Sequence, residues 1–142
     1  MVNRPRTFLA AASAAAILGS VFLTSTPASA TAGSCKSGDA CLYYNSGYGG
    51  SKYGISGPVS DYAPYKFKGG NANGQRLKNN VASVRNMSTS LILTVFYNNT
   101  YNCKYACQKF PPGSKANLNS KMKNENASQL MNTGLDLSHK PV

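Results

Sequence analysis

The sequence predicts an all-β sandwich, exported from the cell. Three observations carry this: short strand-like runs parted by turn residues, an internal repeat, and a targeting segment followed by four cysteines.

The targeting segment is residues 1–30. Arg4 and Arg6 supply the positive end, and Phe8 to Leu23 is an Ala-rich apolar run. Ala28-Ser29-Ala30 then offers the small side chains that a signal peptidase pocket accepts. The apolar run spans residues 8–23, short of the roughly 20 residues a bilayer crossing needs. Cleavage after Ala30 leaves one domain, residues 31–142, with no membrane segment.

Without Arg4 and Arg6, 13 basic residues face 4 acidic ones, a formal charge of +9. The cations are scattered, with no run of five. In an exported protein this points to solubility, or to attraction for acidic partners and anionic cell-wall polymers, rather than to nucleic acid.

Cys35, Cys41, Cys103 and Cys107 make an even set, which in a small exported chain reads as two disulfides. Three pairings are possible. The local one, Cys35–Cys41 with Cys103–Cys107, is expected because each pair is close in sequence and the pairs are far apart. Each small loop stabilises the fold by about 2 kcal/mol in the loop-entropy model. The spacings C-x5-C and C-x3-C, with no histidine beside them, suit zinc poorly.

Five runs read as strands: Ala40–Tyr44, Lys52–Ile55, Val81–Val84, Leu91–Tyr97 and Tyr105–Phe110. Leu91–Tyr97 is apolar enough for burial on both faces. Asn-, Gly- and Pro-rich links separate them at 45–50, 69–74, 98–102 and 111–113. No long segment shows helical spacing. Residues 133–142 read as a loose tail.

The repeat organises these runs. Residues 41–50 align with 94–103 at an offset of 53, with aromatics at three matched positions. Lys78-Asn79-Asn80-Val81-Ala82-Ser83 aligns with Lys123-Asn124-Glu125-Asn126-Ala127-Ser128 at an offset of 45. Two units follow, about 34–90 and 91–132. In each, an aromatic on a strand meets a second aromatic five residues on, across a folded hairpin. Gly50 admits a positive φ or a close backbone approach. The serine ending the second block, Ser83 or Ser128, can cap the hairpin through its hydroxyl. Leu42, Tyr44, Leu91, Leu93, Val95 and Tyr97 are the expected core.

Tyr43-x4-Tyr48-x-Gly50 matches the hairpin signature of the βγ-crystallin Greek-key motif, and Phe96-x4-Tyr101-x-Cys103 matches it with cysteine in place of glycine. Together with Cys35-x5-Cys41-Leu42-Tyr43-Tyr44-Asn45 and the small cysteine loop 103–107, the chain resembles peptidase inhibitor family I36, a secreted branch of that fold. The resemblance implies two Greek-key units forming a βγ-crystallin-like β-sandwich with a pseudo-twofold axis. It also implies a secreted proteinase inhibitor directed at metalloproteases. Cys103, Lys104, Tyr105, Ala106 and Cys107 would form the inhibitory loop, with Lys104 and Tyr105 as specificity contacts. One departure is that metalloproteases of the thermolysin type prefer an apolar side chain, so Tyr105 or Ala106 fits better than Lys104. A basic residue suits a trypsin-like cleft instead. The bridge can equally be read as a plain staple for a hairpin that lost its glycine.

Catalysis is not expected. The one histidine, His139, lies near the end, and the acids Asp39, Asp61, Glu125 and Asp136 are not brought together by any motif. Calcium is the weaker cofactor reading. Asn79, Ser83, Asn124 and Ser128 occupy positions that hold the ion in calcium-binding crystallins. Yet the final serine of that pattern is Val84 or Gln129 here, and only Glu125 adds negative charge. The expected partner is an extracellular protease, met by a monomer without cofactor. The alternative is a non-inhibitory crystallin-type binding or stress protein that holds calcium weakly or coats the anionic cell wall. A small cationic toxin is a third reading.

Overall fold

The computed structural model describes residues 34–134. The targeting segment, Asp136, His139 and nearly all of the tail lie outside the described residues.

Among the described residues, seven strands form two antiparallel sheets. They are β1 (Ala40–Tyr43), β2 (Lys52–Ile55), β3 (Ser83–Asn86), β4 (Ile92–Phe96), β5 (Cys107–Phe110), β6 (Lys115–Asn117) and β7 (Ser128–Asn132). The first sheet runs β2-β1-β3-β6 and the second β5-β4-β7.

Each unit lends a strand segment to the other sheet. From the second unit, β6 pairs with β3, setting Val84 against Ala116. From the first unit, Val59 bridges Gln129, with hydrogen bonds of 2.9 Å in both directions, and Tyr62 N donates to Ala127 O at 2.7 Å. This exchange ties the two sheets into one sandwich.

Strand alternation sends Ala40, Leu42, Tyr53, Ile55 and Val84 inward from the first sheet, and Leu93, Val95, Phe110 and Met131 inward from the second. Burial of each large side chain contributes roughly 1.5–3 kcal/mol. Of the six expected core residues, Leu42, Leu93 and Val95 are wholly buried, while Tyr44, Leu91 and Tyr97 only pack against the cluster. The connecting segments supply the rest: Tyr62, Phe67, Leu77, Val81, Leu118 and Met122 are all buried.

Some boundaries differ from expectation. The third strand begins at Ser83 rather than Val81, because the Val81 carbonyl accepts from Asn124 N and Asn126 Nδ2 of the other unit instead of joining a ladder. The fifth begins at Cys107, after the cysteine loop. Strands β6 and β7 carry no strand-like composition. Lys115–Asn117 is a three-residue strand at the sheet edge, and Ser128–Asn132 has neither aromatic nor β-branched residues. Pairing and burial override propensity in both.

Candidate functional site

The two hairpins show what the units share and where they part. In the first, Tyr43 and Tyr48 meet edge to face at 6.0 Å; in the second, Phe96 and Tyr101 do so at 6.1 Å. Gly47 and Tyr48 have φ of 70° and 65°, matched by Thr100 and Tyr101 at 56° and 61°. The second blocks match as well, with Asn79 at 61° and Asn124 at 59°. Each hairpin is tied down by a serine. Ser83 Oγ donates to Asn45 O at 2.7 Å and accepts from Tyr48 N at 3.0 Å. Ser128 Oγ donates to Asn98 O at 2.6 Å and accepts from Tyr101 N at 3.2 Å.

Symmetry ends at the next turn. Tyr43 pairs with Lys52 and encloses residues 44–51, whereas Phe96 pairs with Cys107 and encloses residues 97–106. The second hairpin is therefore longer by two residues. Gly50 has φ of +74°, and a Cβ there would lie 2.7 Å from both Asn45 Nδ2 and Asn71 Oδ1. Its counterpart Cys103 lies outside the left-handed region, so the backbone takes another course.

That course is the clamped loop. Cys103 and Cys107 are disulfide-bonded with Cα atoms 5.2 Å apart. Asn102 Oδ1 accepts from Lys104 N at 2.8 Å, an Asx turn that starts the loop. Tyr97 N donates to Ala106 O at 3.0 Å and fixes its far end. The ring of Tyr105 lies on that of Tyr97, centroids 4.5 Å apart. Tyr105 is nevertheless 63% exposed, the one exposed large hydrophobic residue among those described. Lys104 is exposed too, while Ala106 is half-buried and packs against the core. Of the five candidate residues, Lys104 and Tyr105 present side chains outward. Sequence reasoning placed Tyr97 in the core and missed its role as the seat of Tyr105, because an aromatic eight residues before another carries no contact signal in the sequence.

The other bridge, Cys35–Cys41, fastens the chain entry to β1. There a Cβ on Gly54 would collide with Ser34 O, so the entry segment lies flat on the sheet.

The calcium candidates are arranged as a turn scaffold. Asn79 and Asn124 hold the left-handed backbone, and both serine hydroxyls are committed to the hairpins. Val84 is core; Gln129 receives the Tyr62 hydroxyl at 3.0 Å and donates to Gly57 O. Asn79, Asn98, Asn99 and Glu125 do line a cleft of about 370 Å³, but Lys78 lines it as well. No group of three or more His, Cys, Asp or Glu that could hold a metal occurs among the described residues. The acids are dispersed. Asp39 Oδ2 accepts from Lys36 N, Asp61 pairs with Lys78 at 3.2 Å, and Glu125 is exposed. No described helix is long and apolar enough to cross a membrane.

Known proteins give the same frame. The family model for peptidase inhibitor family I36 matches residues 28–108, which take in the first unit and the clamped loop. A solved structure described as "Evolution of the eye lens beta-gamma-crystallin domain fold" superposes with a TM-score of 0.54 at 18% identity, covering 70% of this chain and 89% of the other. That likeness shows the fold. No curated protein sequence matches the chain. With a family model matched over more than half its length, the chain belongs to peptidase inhibitor family I36.

Proposed function

We propose that this protein inhibits an extracellular protease by lodging the Cys103–Cys107 loop in its cleft, with Tyr105 as the principal contact and Lys104 beside it. The observation that carries the reading is Tyr105 itself: a large ring held 63% in solvent on a bridged five-residue loop. The part of the ring left in solvent gains nothing from folding, whereas aromatic anchors dominate the energetics of interfaces. Ordering a flexible loop on binding costs about 0.5–1.5 kcal/mol per immobilised side chain. The disulfide, the Asx turn and the Tyr97 seat meet part of that cost during folding.

A metalloprotease is the favoured target. A protruding aromatic suits a cleft that takes an apolar side chain, and the inward turn of Ala106 leaves Tyr105 to supply it. The exposed Lys104 supports a second reading, a trypsin-like enzyme with an acidic pocket. Titration of the purified protein against a thermolysin-like metalloprotease and against trypsin decides between them. The expected result is inhibition of the metalloprotease that is lost in Tyr105→Ala and kept in Lys104→Ala. The opposite pattern selects the trypsin-like class. No inhibition of either enzyme at micromolar protein removes the proposal.

A further inference from the structure

The outer faces of the two sheets differ in charge. Lys52 opposes Lys68 in an antiparallel bridge, and Lys66 opposes Arg76 in another. Phe67, between the two lysines, is wholly buried, so Lys66 and Lys68 point together to solvent. Cross-strand partners share a face, which puts Lys52 and Arg76 on that side too. Farther across the same sheet, Arg85 opposes Lys115, whose Nζ already lies 5.0 Å from the centre of the Tyr48 ring on the folded hairpin, so the open part of the row is Lys52, Lys66, Lys68 and Arg76 with Arg85 beyond the hairpin. All six are exposed, and none has an ion pair to a carboxylate among the described residues. The acid on this face, Asp39, is buried and engaged by Lys36 N. On the second sheet, the outward positions Thr94, Phe96, Leu130, Cys107 and Lys109 include a single cation.

We infer that the cationic face of the first sheet is a docking surface for a linear phosphate polymer outside the cell. Like charges set directly opposite one another destabilise a sheet, and three such pairs on one face form a cost that an anion would relieve. The row is too extended for one small anion. Successive outward residues stand about 6.6 Å apart along a strand, and opposed residues about 5 Å apart across it. A single chain with repeating charges can meet all of them. Phosphate is the repeating group the face suits, because lysine, four of the six cations, binds phosphate as a point charge from any direction and needs no fixed bidentate geometry along the polymer. Docking here would hold the protein at an anionic surface while the loop on the other unit stays free. The inference does not depend on what the loop binds.

The test measures binding of long-chain inorganic polyphosphate as a function of salt. Two variants with equal charge loss are compared: Lys66→Gln/Lys68→Gln/Arg76→Gln, and Lys109→Gln/Lys121→Gln/Lys123→Gln. Each phosphate contact contributes about 0.7–0.9 to the log–log salt slope, so the first variant should lower that slope by about two and the second should leave it near wild type. Melting curves give a second readout. Without polymer the first variant should be at least as stable as wild type, and polyphosphate should raise the wild-type melting temperature more than the variant's. Equal loss in both variants would mean that net charge binds, not this face, and would overturn the inference. So would tighter binding of polyglutamate, which would make the partner a carboxylate polymer. Tighter binding of single-stranded DNA than of polyphosphate would make it a nucleic acid and overturn the inference as well.

Discussion

Ser83 and Ser128, 45 positions apart, make the same pair of hydrogen bonds, each holding the backbone of its own hairpin at an acceptor and a donor. Both are fully buried. Replacing either by alanine strands a carbonyl and an amide, and an unsatisfied buried polar group costs about 1–3 kcal/mol. Ser83→Ala and Ser128→Ala should each lower stability by about that amount in urea unfolding. The two losses should add in the double variant, because the sites share no partner. A loss of less than 0.5 kcal/mol (order of magnitude) in both would show that the hydroxyls do not hold the hairpins.

Thr100 stands where the first unit has Gly47, and takes a φ of 56° against 70°. A β-branched residue in the left-handed region is strained by roughly 1–2 kcal/mol. Glycine relieves the strain but enlarges the unfolded ensemble, at about 0.4–1 kcal/mol. Thr100→Gly should therefore stabilise by about 1 kcal/mol, a melting increase of about 4–8 °C for a domain of this size. Gly50→Ala should do the reverse, since its Cβ would collide with Asn45 and Asn71. A fall in melting temperature for Thr100→Gly would mean that the Thr100 hydroxyl bond to Asn99 O matters more than the backbone strain.

Tyr97 is the seat of the clamped loop, and its effect should be visible in inhibition before stability. Tyr97→Leu keeps an apolar side chain and the amide that bonds Ala106 O but removes the ring beneath Tyr105. An aromatic pair is worth about 0.5–1.5 kcal/mol beyond its burial, so the inhibition constant should rise about two- to tenfold. Enzyme titration beside thermal melting separates the two effects. An unchanged inhibition constant would mean that the seat does not order the loop for binding.

What was legible in the sequence was whatever local pattern enforces. The aromatic pair with its five-residue step and the terminal serine fix the hairpins through contacts within one unit, so Tyr43–Tyr48 and Ser83 could be read directly. Strand β7 could not. Ser-Gln-Leu-Met-Asn becomes a strand because it pairs with β4 on one side and meets Val59 on the other. Those partners are long-range, and no window of β7 carries them. The same holds for the Tyr97 seat and for the row of opposed cations. Scattered in sequence, Lys52, Lys66, Lys68 and Arg76 are gathered by two bridges that composition does not disclose.

Asp61 should govern part of the acid limb. Its carboxylate accepts from Ala63 N at 3.0 Å and pairs with Lys78, which together hold its pKa below the usual value against a smaller opposing effect of burial. A depressed carboxyl stabilises the folded state above its unfolded pKa of about 3.9, and that stability is lost as pH falls through the folded value. Asp61→Asn should make stability flatter below about pH 4 while lowering it slightly at neutral pH. Denaturant unfolding across that range reads the slope, and an unchanged acid limb would show that Asp61 is not one of its causes.

Tyr62 sets the opposite limit. It is wholly buried, and burial pushes its pKa well above the ordinary phenol value. Its hydroxyl donates to Gln129 Oε1 at 3.0 Å, in the place where the first unit crosses to the second sheet. A raised acid pKa means that the unfolded chain ionises first. The stability is complete below about pH 10 and is lost as pH rises from there toward the folded value. Tyr53 is shifted the same way, by burial and then by Tyr65, so the alkaline limb has more than one source. Tyr62→Phe removes the larger source but leaves Gln129 Oε1 without its donor, at about 1–3 kcal/mol. The variant should be less stable than wild type at pH 7 and lose stability less steeply above pH 10, so the two curves converge. Parallel curves would mean that the Tyr62 phenol ionises equally in both states, which a side chain sealed between the units cannot do.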